Sequence, residues 1–383
     1  MAMVDVQPGN LSYVRRAMTE QEPPPTTSSG SIGWIRARLF NSWINAILTL
    51  AGIYLVWVIG EPLIKFLFVD AVWDGASRTD CLAETLGRPV GACWPFIFAK
   101  LRQLIYGFYP ADQAWRPNLV FILGAVLLAP LLIPRAPLKL WNSIAFFGVF
   151  PIVAFFLLVG GSFGLEHIET RSWGGLLVTL VVAVTGIVVS LPIGIMFALG
   201  RRSKLPILRM FSVIFIEFWR GVPLITVLFF ATYMLPLFLP PTWTIDALLR
   251  VLVGTALFSA AYMAEVVRGG LAAIPRGQYE AAAALGLGYW KMMGLVVLPQ
   301  ALRLVIPGIV NTFIGLFKDT TLVLIVSIFD FLGQIRAAFS DPNWATPNML
   351  FTGFAFAGIV YFVFCFSMSR YSLFVERRLT PKR

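Results

Sequence analysis

Long apolar runs separated by shorter polar connections recur from Leu39 to Leu373. A helix rising ~1.5 Å per residue needs roughly 20 apolar residues to cross a hydrocarbon core about 30 Å thick. Eight runs approach or exceed that length: Leu39 to Leu63, Leu119 to Ile133, Leu140 to Gly160, Leu176 to Leu199, Ile207 to Leu239, Ala247 to Val267, Val305 to Phe331 and Met349 to Leu373. The second is the shortest and stops at a proline. Because a helix satisfies its backbone polar groups within one segment, the pattern predicts an all-α integral membrane protein with about eight transmembrane helices. The fifth run is too long for one perpendicular crossing, about 50 Å if wholly helical. Gly221 and Pro223 interrupt its hydrogen-bond ladder, so it predicts a bent or broken helix, an interfacial lead-in followed by a crossing.

The polar segments set orientation. The stretch "QEPPPTTSSGS", Gln21 to Ser31, separates the early basic residues from any apolar run, which is unlike a signal peptide and predicts a disordered cytoplasmic tail over residues 1–38. Basic residues then gather on one side: Arg201, Arg202, Lys204 and Arg209 after the fourth run, Arg268, Arg276, Lys291 and Arg303 after the sixth, and Arg370, Arg377 and Arg378 at the end of the eighth. That bias places this side and both termini in the cytoplasm. It also accounts for the net charge of +11 without a nucleic-acid partner. Composition agrees with the pattern, at 58% hydrophobic and 13% charged residues.

On the opposite side a long loop, Asp70 to Pro117, is aromatic and mixed in charge; it either forms an external cap or packs along the membrane surface. It contains Cys81 and Cys93, whereas Cys365 lies in the last run. In an oxidising outer compartment Cys81 and Cys93 would form a disulfide; otherwise they are two free thiols. His167, the sole histidine, stands beside Glu166 and Glu169 without a ligand set, so no metal site is expected.

Two regions differ in character. Residues 39–160 hold three spans with few intramembrane charges and the outer loop, an extension expected to act as scaffold. Residues 172–383 hold five spans in which Glu217, Arg220, Glu265, Asn311, Lys318 and Asp319 interrupt apolar sequence. Such residues face a bundle interior, a cavity or one another rather than lipid. Glu217 and Arg220 are three apart, as are Glu265 and Arg268, so each pair is either a local ion pair or part of a translocation path. Asn311, Gly315, Lys318 and Leu322 share one helical stripe with Asp319 and Thr320 beside it, a stripe that either holds helices together or meets a zwitterionic substrate.

Between the sixth and seventh runs lies "YEAAAALGLGYWKMMGLVVLPQALR", Tyr279 to Arg303. Its alanine run favours a short helix that Gly286 and Gly288 end, and a second helix leads to Pro299, where the next span begins. From physics alone this is a helix-turn-helix at the cytoplasmic surface. Its spacing resembles the signature loop of bacterial ABC-importer permeases, EAA followed by three residues, G, nine residues, I, one residue and LP. Glu280, Ala281, Ala282, Gly286, Leu298 and Pro299 occupy those positions, with Val296 in place of Ile. "FWRGVPL", "AYMAEVVRGGLAAIPRGQYEAA" and "FKDTTLV" resemble the polar-amino-acid branch, the histidine and glutamine permease type. The resemblance spans about Gly174 to Leu379, and the added N-terminal spans resemble the longer subunits of general L-amino-acid importers.

The resemblance implies a C-terminal five-helix type I ABC-importer permease core in the bacterial inner membrane. It implies that residues 276–300 form a cytoplasmic coupling loop gripped by a separate ATPase dimer, with a second permease subunit, making a heterodimer, and a periplasmic amino-acid-binding protein as further partners. Candidates for the substrate path are Arg220, Glu265, Asn311, Lys318, Asp319 and Thr320. The chain contains no Walker A sequence, so no cofactor is expected on it; ATP and Mg would be used by the partner ATPase. The competing class is an ion-coupled secondary amino-acid transporter in which Glu265 and Lys318 couple the ion. A membrane enzyme is disfavoured by the lack of any nucleophile, metal or paired-carboxylate constellation.

Overall fold

The computed structural model describes residues 30–379 other than Pro134 and Pro241. Most of the expected tail, residues 1–29, lies outside the described residues. Its last part is helical instead: α1 spans Gly30–Leu39, a stretch clear of the upstream prolines, with Arg36 and Arg38 in the last turn where the helix dipole favours cations. Contacts within the chain separate Met1–Val69 from Asp70–Arg383.

In the first unit, α2 spans Trp43–Val69. Ser42 caps it by accepting a hydrogen bond from the Asn45 N–H at 3.2 Å. Pro62 precedes a π-helical turn at Lys65–Val69, consistent with a ladder that has lost one N–H. Leu48, Val56, Trp57 and Ile59 are all exposed, so the helix is apolar all round, as a lipid-facing span is.

The second unit contains α3 (Trp94–Tyr106), α4 (Trp115–Leu132), α5 (Lys139–Val159) and α6 (Gly175–Arg201). The chain continues with α7 (Pro206–Gly221), α8 (Leu224–Phe238), α9 (Ala247–Ala272) and α10 (Arg276–Ala284). It closes with α11 (residues 289–304), α12 (Ile306–Val326), α13 (Phe331–Ala338) and α14 (Met349–Leu379). Among the described residues, and counting α2, seven helices are long and apolar enough to cross a membrane, and α7 with α8 forms a broken pair bent by 101°. The break has a local cause: Pro223 drives Val222 into an extended conformation (φ −106°, ψ 133°) and the helix restarts at Leu224.

The centre of this unit is α6 against α9. The two run in the same direction: Thr170 bonds Asp246 before their first turns, Gly194 faces Met263 in the second half of both helices, and Arg201 meets Glu265 beyond it. Small residues permit the approach, since a Cβ on Gly194 would stand 2.7 Å from the Met263 Cβ, and Ala260, Ala261 and Ala264 are buried.

The division at Val69 and Asp70 differs from the boundary near residue 160 that hydropathy suggested. Spans α4 and α5 pack with the later helices, Val120 and Leu158 sharing a core with Leu177, Val227 and Val251. Tyr109 donates to the Leu158 carbonyl at 3.0 Å, and the buried Arg116 donates to the Glu166 carbonyl at 2.8 Å.

The Asp70–Pro117 loop forms a cap. Cys81 and Cys93 are joined in a disulfide, with Cα atoms 5.8 Å apart. The Cys93 N–H donates to the Thr352 hydroxyl at 3.0 Å, the Arg78 N–H to the Asn343 carbonyl at 3.0 Å, and the Gln103 amide to Gln334 Oε1 at 3.1 Å. Lys100 pairs with Asp341, and this ammonium together with the Asn343 N–H holds the Asp341 carboxyl below the ordinary carboxylate range. Residues 70–106 are thereby fastened to α13, α14 and the connection between them.

Candidate functional site

The loop carrying the permease-like spacing is a short helix held by one end. Helix α10 terminates in a Schellman motif: Leu287 N–H donates to the Ala282 carbonyl at 3.2 Å and Gly286 N–H to the Ala283 carbonyl at 2.9 Å. That geometry places Gly286 in the left-handed region at φ +70°, with no atom within 4 Å of where a Cβ would stand. The glycine is therefore required by backbone conformation and not by packing inside this chain. Ala282 is buried, while Glu280, Ala281, Leu285 and Trp290 are exposed. Two polar ties fix the base: Tyr279 donates to the Leu271 carbonyl on α9 at 3.3 Å, and Gln300 on α11 donates to Gln278 Oε1 at 3.0 Å.

Pro299 does not start a new span. It lies within α11, immediately after a π-helical turn at Met293–Val297 that accommodates its missing donor, with Leu298 half-buried and Pro299 exposed. The break falls later, at Val305 (φ −108°, ψ 12°), ahead of Pro307. Gly270 serves close packing, since a Cβ there would come within 2.6 Å of the Ala301 carbonyl oxygen.

Next to this loop, one carboxylate ties three helices together. Glu265 on α9 accepts from Arg201 at the end of α6 at 2.7 Å and from Arg268 on its own helix at 2.9 Å, and Arg220 on α7 stands 3.8 Å away. Glu265 and Arg268 pair locally, as their spacing suggested. Glu217 and Arg220 do not: Glu217 turns to Arg201 at 2.8 Å, and Arg220 turns to Glu265 and lies over the Tyr262 ring at 5.8 Å. Packing of α7 against α6 and α9 lets both side chains reach across to a neighbouring helix. Arg220 is the penultimate residue of α7, so the cluster sits at the elbow before Pro223. Sequence reading counted Arg201 only as inner-side charge; a cation ending a span whose neighbouring helices carry acidic residues was the available signal.

The α12 candidates lie apart from this cluster. Asn311 and Lys318 are exposed on one stripe, Asp319 is half-buried, and Thr320 is buried with its hydroxyl donating to the Phe317 carbonyl at 2.8 Å. Among the described residues no ion pair joins Lys318 to Asp319 or to Glu265. The structure thus brings Arg220 and Glu265 together and leaves Asn311 and Lys318 on an open face.

Asp330 was overlooked, because it falls at the end of an apolar run and reads as its margin. It is fully buried, caps α13 by accepting from the Gly333 and Leu332 N–H groups at 2.9 and 3.2 Å, and accepts from Tyr361 at 3.1 Å. Burial pushes its carboxyl pKa up in spite of those bonds.

These features define a helical membrane-spanning protein with a broken span and a solvent-exposed two-helix loop. The chain belongs to the family of binding-protein-dependent transport system inner membrane components, whose pattern matches residues 190–381. It is 51% identical over 94% of its length, and 96% of the relative's, to the inner membrane amino-acid ABC transporter permease protein YhdY of Escherichia coli K12. It is 40% identical to the glutamate/glutamine/aspartate/asparagine transport system permease protein BztC of Rhodobacter capsulatus, over 97% of this chain and 98% of the relative. A shorter relative, the glutamate/aspartate import permease protein GltK of Escherichia coli O6:H1, is 34% identical and matches 53% of this chain but 91% of its own.

Proposed function

We propose that this chain is a permease subunit of an ATP-driven importer that moves polar or general L-amino acids across the inner membrane. The observation that supports it most directly is its likeness to two amino-acid permeases over nearly its whole length. In this reading both termini face the cytoplasm, residues 172–383 form the five-span core behind the N-terminal extension, and α10 inserts into a groove of a separate ATPase. Small residues on α10 let a partner approach closely, and the ties to α9 and α11 pass the partner's movement to the Glu265 cluster and the α7–α8 elbow. ATP and Mg are used by that ATPase, and no cofactor is held by this chain.

A second permease subunit is the proposed cover for the open α12 stripe. An ionised lysine facing lipid costs roughly 3 kcal/mol at the centre of a helix, so Lys318 and Asn311 belong against a partner or a water-filled path. A periplasmic amino-acid-binding protein would deliver substrate from the capped side. The family match gives no support to the ion-coupled alternative, which requires uptake by this chain alone in vesicles driven by an ion gradient.

Gly286 provides the test. Gly286→Trp places a bulky side chain on the presented loop and costs about 1 kcal/mol of backbone strain, with no clash inside this chain. Uptake by the reconstituted importer and ATPase co-purification should both be lost, with the unfolding midpoint nearly unchanged; Gly286→Asn, which tolerates the left-handed region, should retain most of both. Normal uptake and ATPase binding in the Trp variant would sink the coupling reading.

A further inference from the structure

Arg250 stands in the first turn of α9, where the helix dipole disfavours a cation, and inside a span, where a charge is costly. It pairs with no carboxylate among the described residues. Instead the side chain is half-buried, with its Nε out of contact with solvent. Its Nη1 donates to two backbone carbonyls of α8, that of Thr232 at 2.5 Å and that of Ala231 at 3.3 Å.

Pro236 explains why those carbonyls are free. Helix α8 makes a π-helical turn at Phe230–Met234, closed by the Leu235 N–H on the Phe230 carbonyl, and Pro236 follows. The next N–H would bond Ala231 in a π-turn or Thr232 in an α-turn, and proline has none to give. Two other helices place a proline in the same register, Pro151 after Ala145–Val149 and Pro299 after Met293–Val297. At α8 the missing donor comes from a side chain of a neighbouring span.

Helices kink where a proline interrupts the hydrogen-bond ladder. The broken span α7–α8 therefore has two places to bend, the elbow before Pro223 and the turn before Pro236. Helix α9 holds it on both sides of the elbow: through Arg250 on α8, and through Glu265 with Arg220 on α7, roughly 22 Å further along α9 at about 1.5 Å per residue. We propose that Arg250 is a positioning residue for transport: its guanidinium replaces the N–H that Pro236 lacks and keeps α8 straight against α9, so that the span turns at the Pro223 elbow and not at Pro236. The role in transport rests on the importer reading; the replacement of the donor does not.

The test is a double-mutant cycle on the full chain. Arg250→Met removes the donors at similar length, and Pro236→Ala restores the backbone N–H. In detergent, hydrogen exchange read by mass spectrometry should show residues 228–239 exchanging about tenfold faster in Arg250→Met, the loss of one charged hydrogen bond. In the reconstituted importer the maximal uptake rate of that variant should fall severalfold while the half-saturating substrate concentration holds. Adding Pro236→Ala should return both readings to within about twofold of wild type, and Pro236→Ala alone should match wild type. Arg250→Lys, which keeps a cationic donor, should retain most of both. Exchange unchanged in Arg250→Met would overturn the proposal, as would an equal loss whether or not Pro236 is replaced, which would mark Arg250 as packing alone. If Arg250→Met does not fold, Pro236→Ala must restore folding, and its failure to do so would also overturn the proposal. Absence of uptake by wild type, with the exchange cycle as expected, would count against the importer reading and uphold the donor replacement.

Discussion

At the capped end of the Asp70–Arg383 unit, the fully buried Asp330 accepts from backbone amides and Tyr361, and the fully buried Gln334 accepts from Gln103 at its Oε1, under a cap closed by a disulfide. At the α10 end Glu217, Arg220 and Arg268 remain partly in contact with solvent, and the side-chain bonds that join α6, α7 and α9 are ion pairs. Buried hydrogen-bonded networks have one arrangement; half-exposed ion pairs exchange partners at little cost. The contrast assigns rigidity to the side where substrate is proposed to arrive and adjustability to the side where an ATPase is proposed to pull.

Removing the disulfide should produce the largest change. Closing a loop of this length, with a sequence separation of 12, contributes about 3 kcal/mol by the chain-entropy relation. Cys81→Ser with Cys93→Ser should therefore lower the unfolding midpoint and open residues 70–106 to proteolysis. Co-purification of the ATPase should survive, because α10 depends on none of these contacts. A parallel loss of ATPase binding would show that the two ends are one cooperative unit and dissolve the contrast.

Glu265→Gln comes next. It weakens three cationic contacts at once, and charged hydrogen bonds contribute about 1.5–3 kcal/mol each when shielded. Arg220 and Arg268 are more than a third exposed, with side-chain exposures of 36% and 41%, so the net cost should be nearer 2 kcal/mol. Glu217, whose side chain is 53% exposed and which among the described residues forms an ion pair with Arg201 alone, is the internal reference, and Glu217→Gln should cost below about 1 kcal/mol. Transport per ATP hydrolysed should fall in the first variant and hold in the second. Equal effects would mean that Glu265 is an ordinary surface acid and that the elbow is held by packing.

What the sequence revealed and what it hid follow from range. The apolar runs, the break at Pro223 and the Gly286 turn are local, and each is visible in the spacing of a few residues. The cap was not, because Gln103 finds Gln334 across 231 positions and no periodicity reports such a meeting. The partners of Glu217 and Arg220 were missed for a related reason: spacing shows which residues share a helix face but not which neighbouring helix that face meets. Pro299 misled because a π-helical turn can absorb a proline without ending the helix. Of the path candidates, Arg220 and Glu265 converge, Thr320 is engaged by its own backbone, and Asn311 and Lys318 are exposed.

Asp330 offers the finest test of the rigid end. Its folded pKa is raised by burial above that of the unfolded chain, so the folded state binds the proton more tightly. Below the unfolded pKa both states are protonated and the group is neutral to stability; as pH rises from there to the folded pKa, stability falls, and above it the loss is complete. Asp330→Asn keeps one acceptor oxygen, for the Gly333 N–H, and gives up the longer bond from the Leu332 N–H, which meets the other oxygen; Asn caps a helix about as well as Asp, so the cap itself should change by less than about 1 kcal/mol. Unfolding midpoints in detergent should decline with pH through that window in wild type and run flatter in the variant, which becomes the more stable of the two above it. If the variant is instead less stable at every pH, the carboxylate is held by more than its cap and Tyr361, and the capped end contains a charge that the fold actively stabilises.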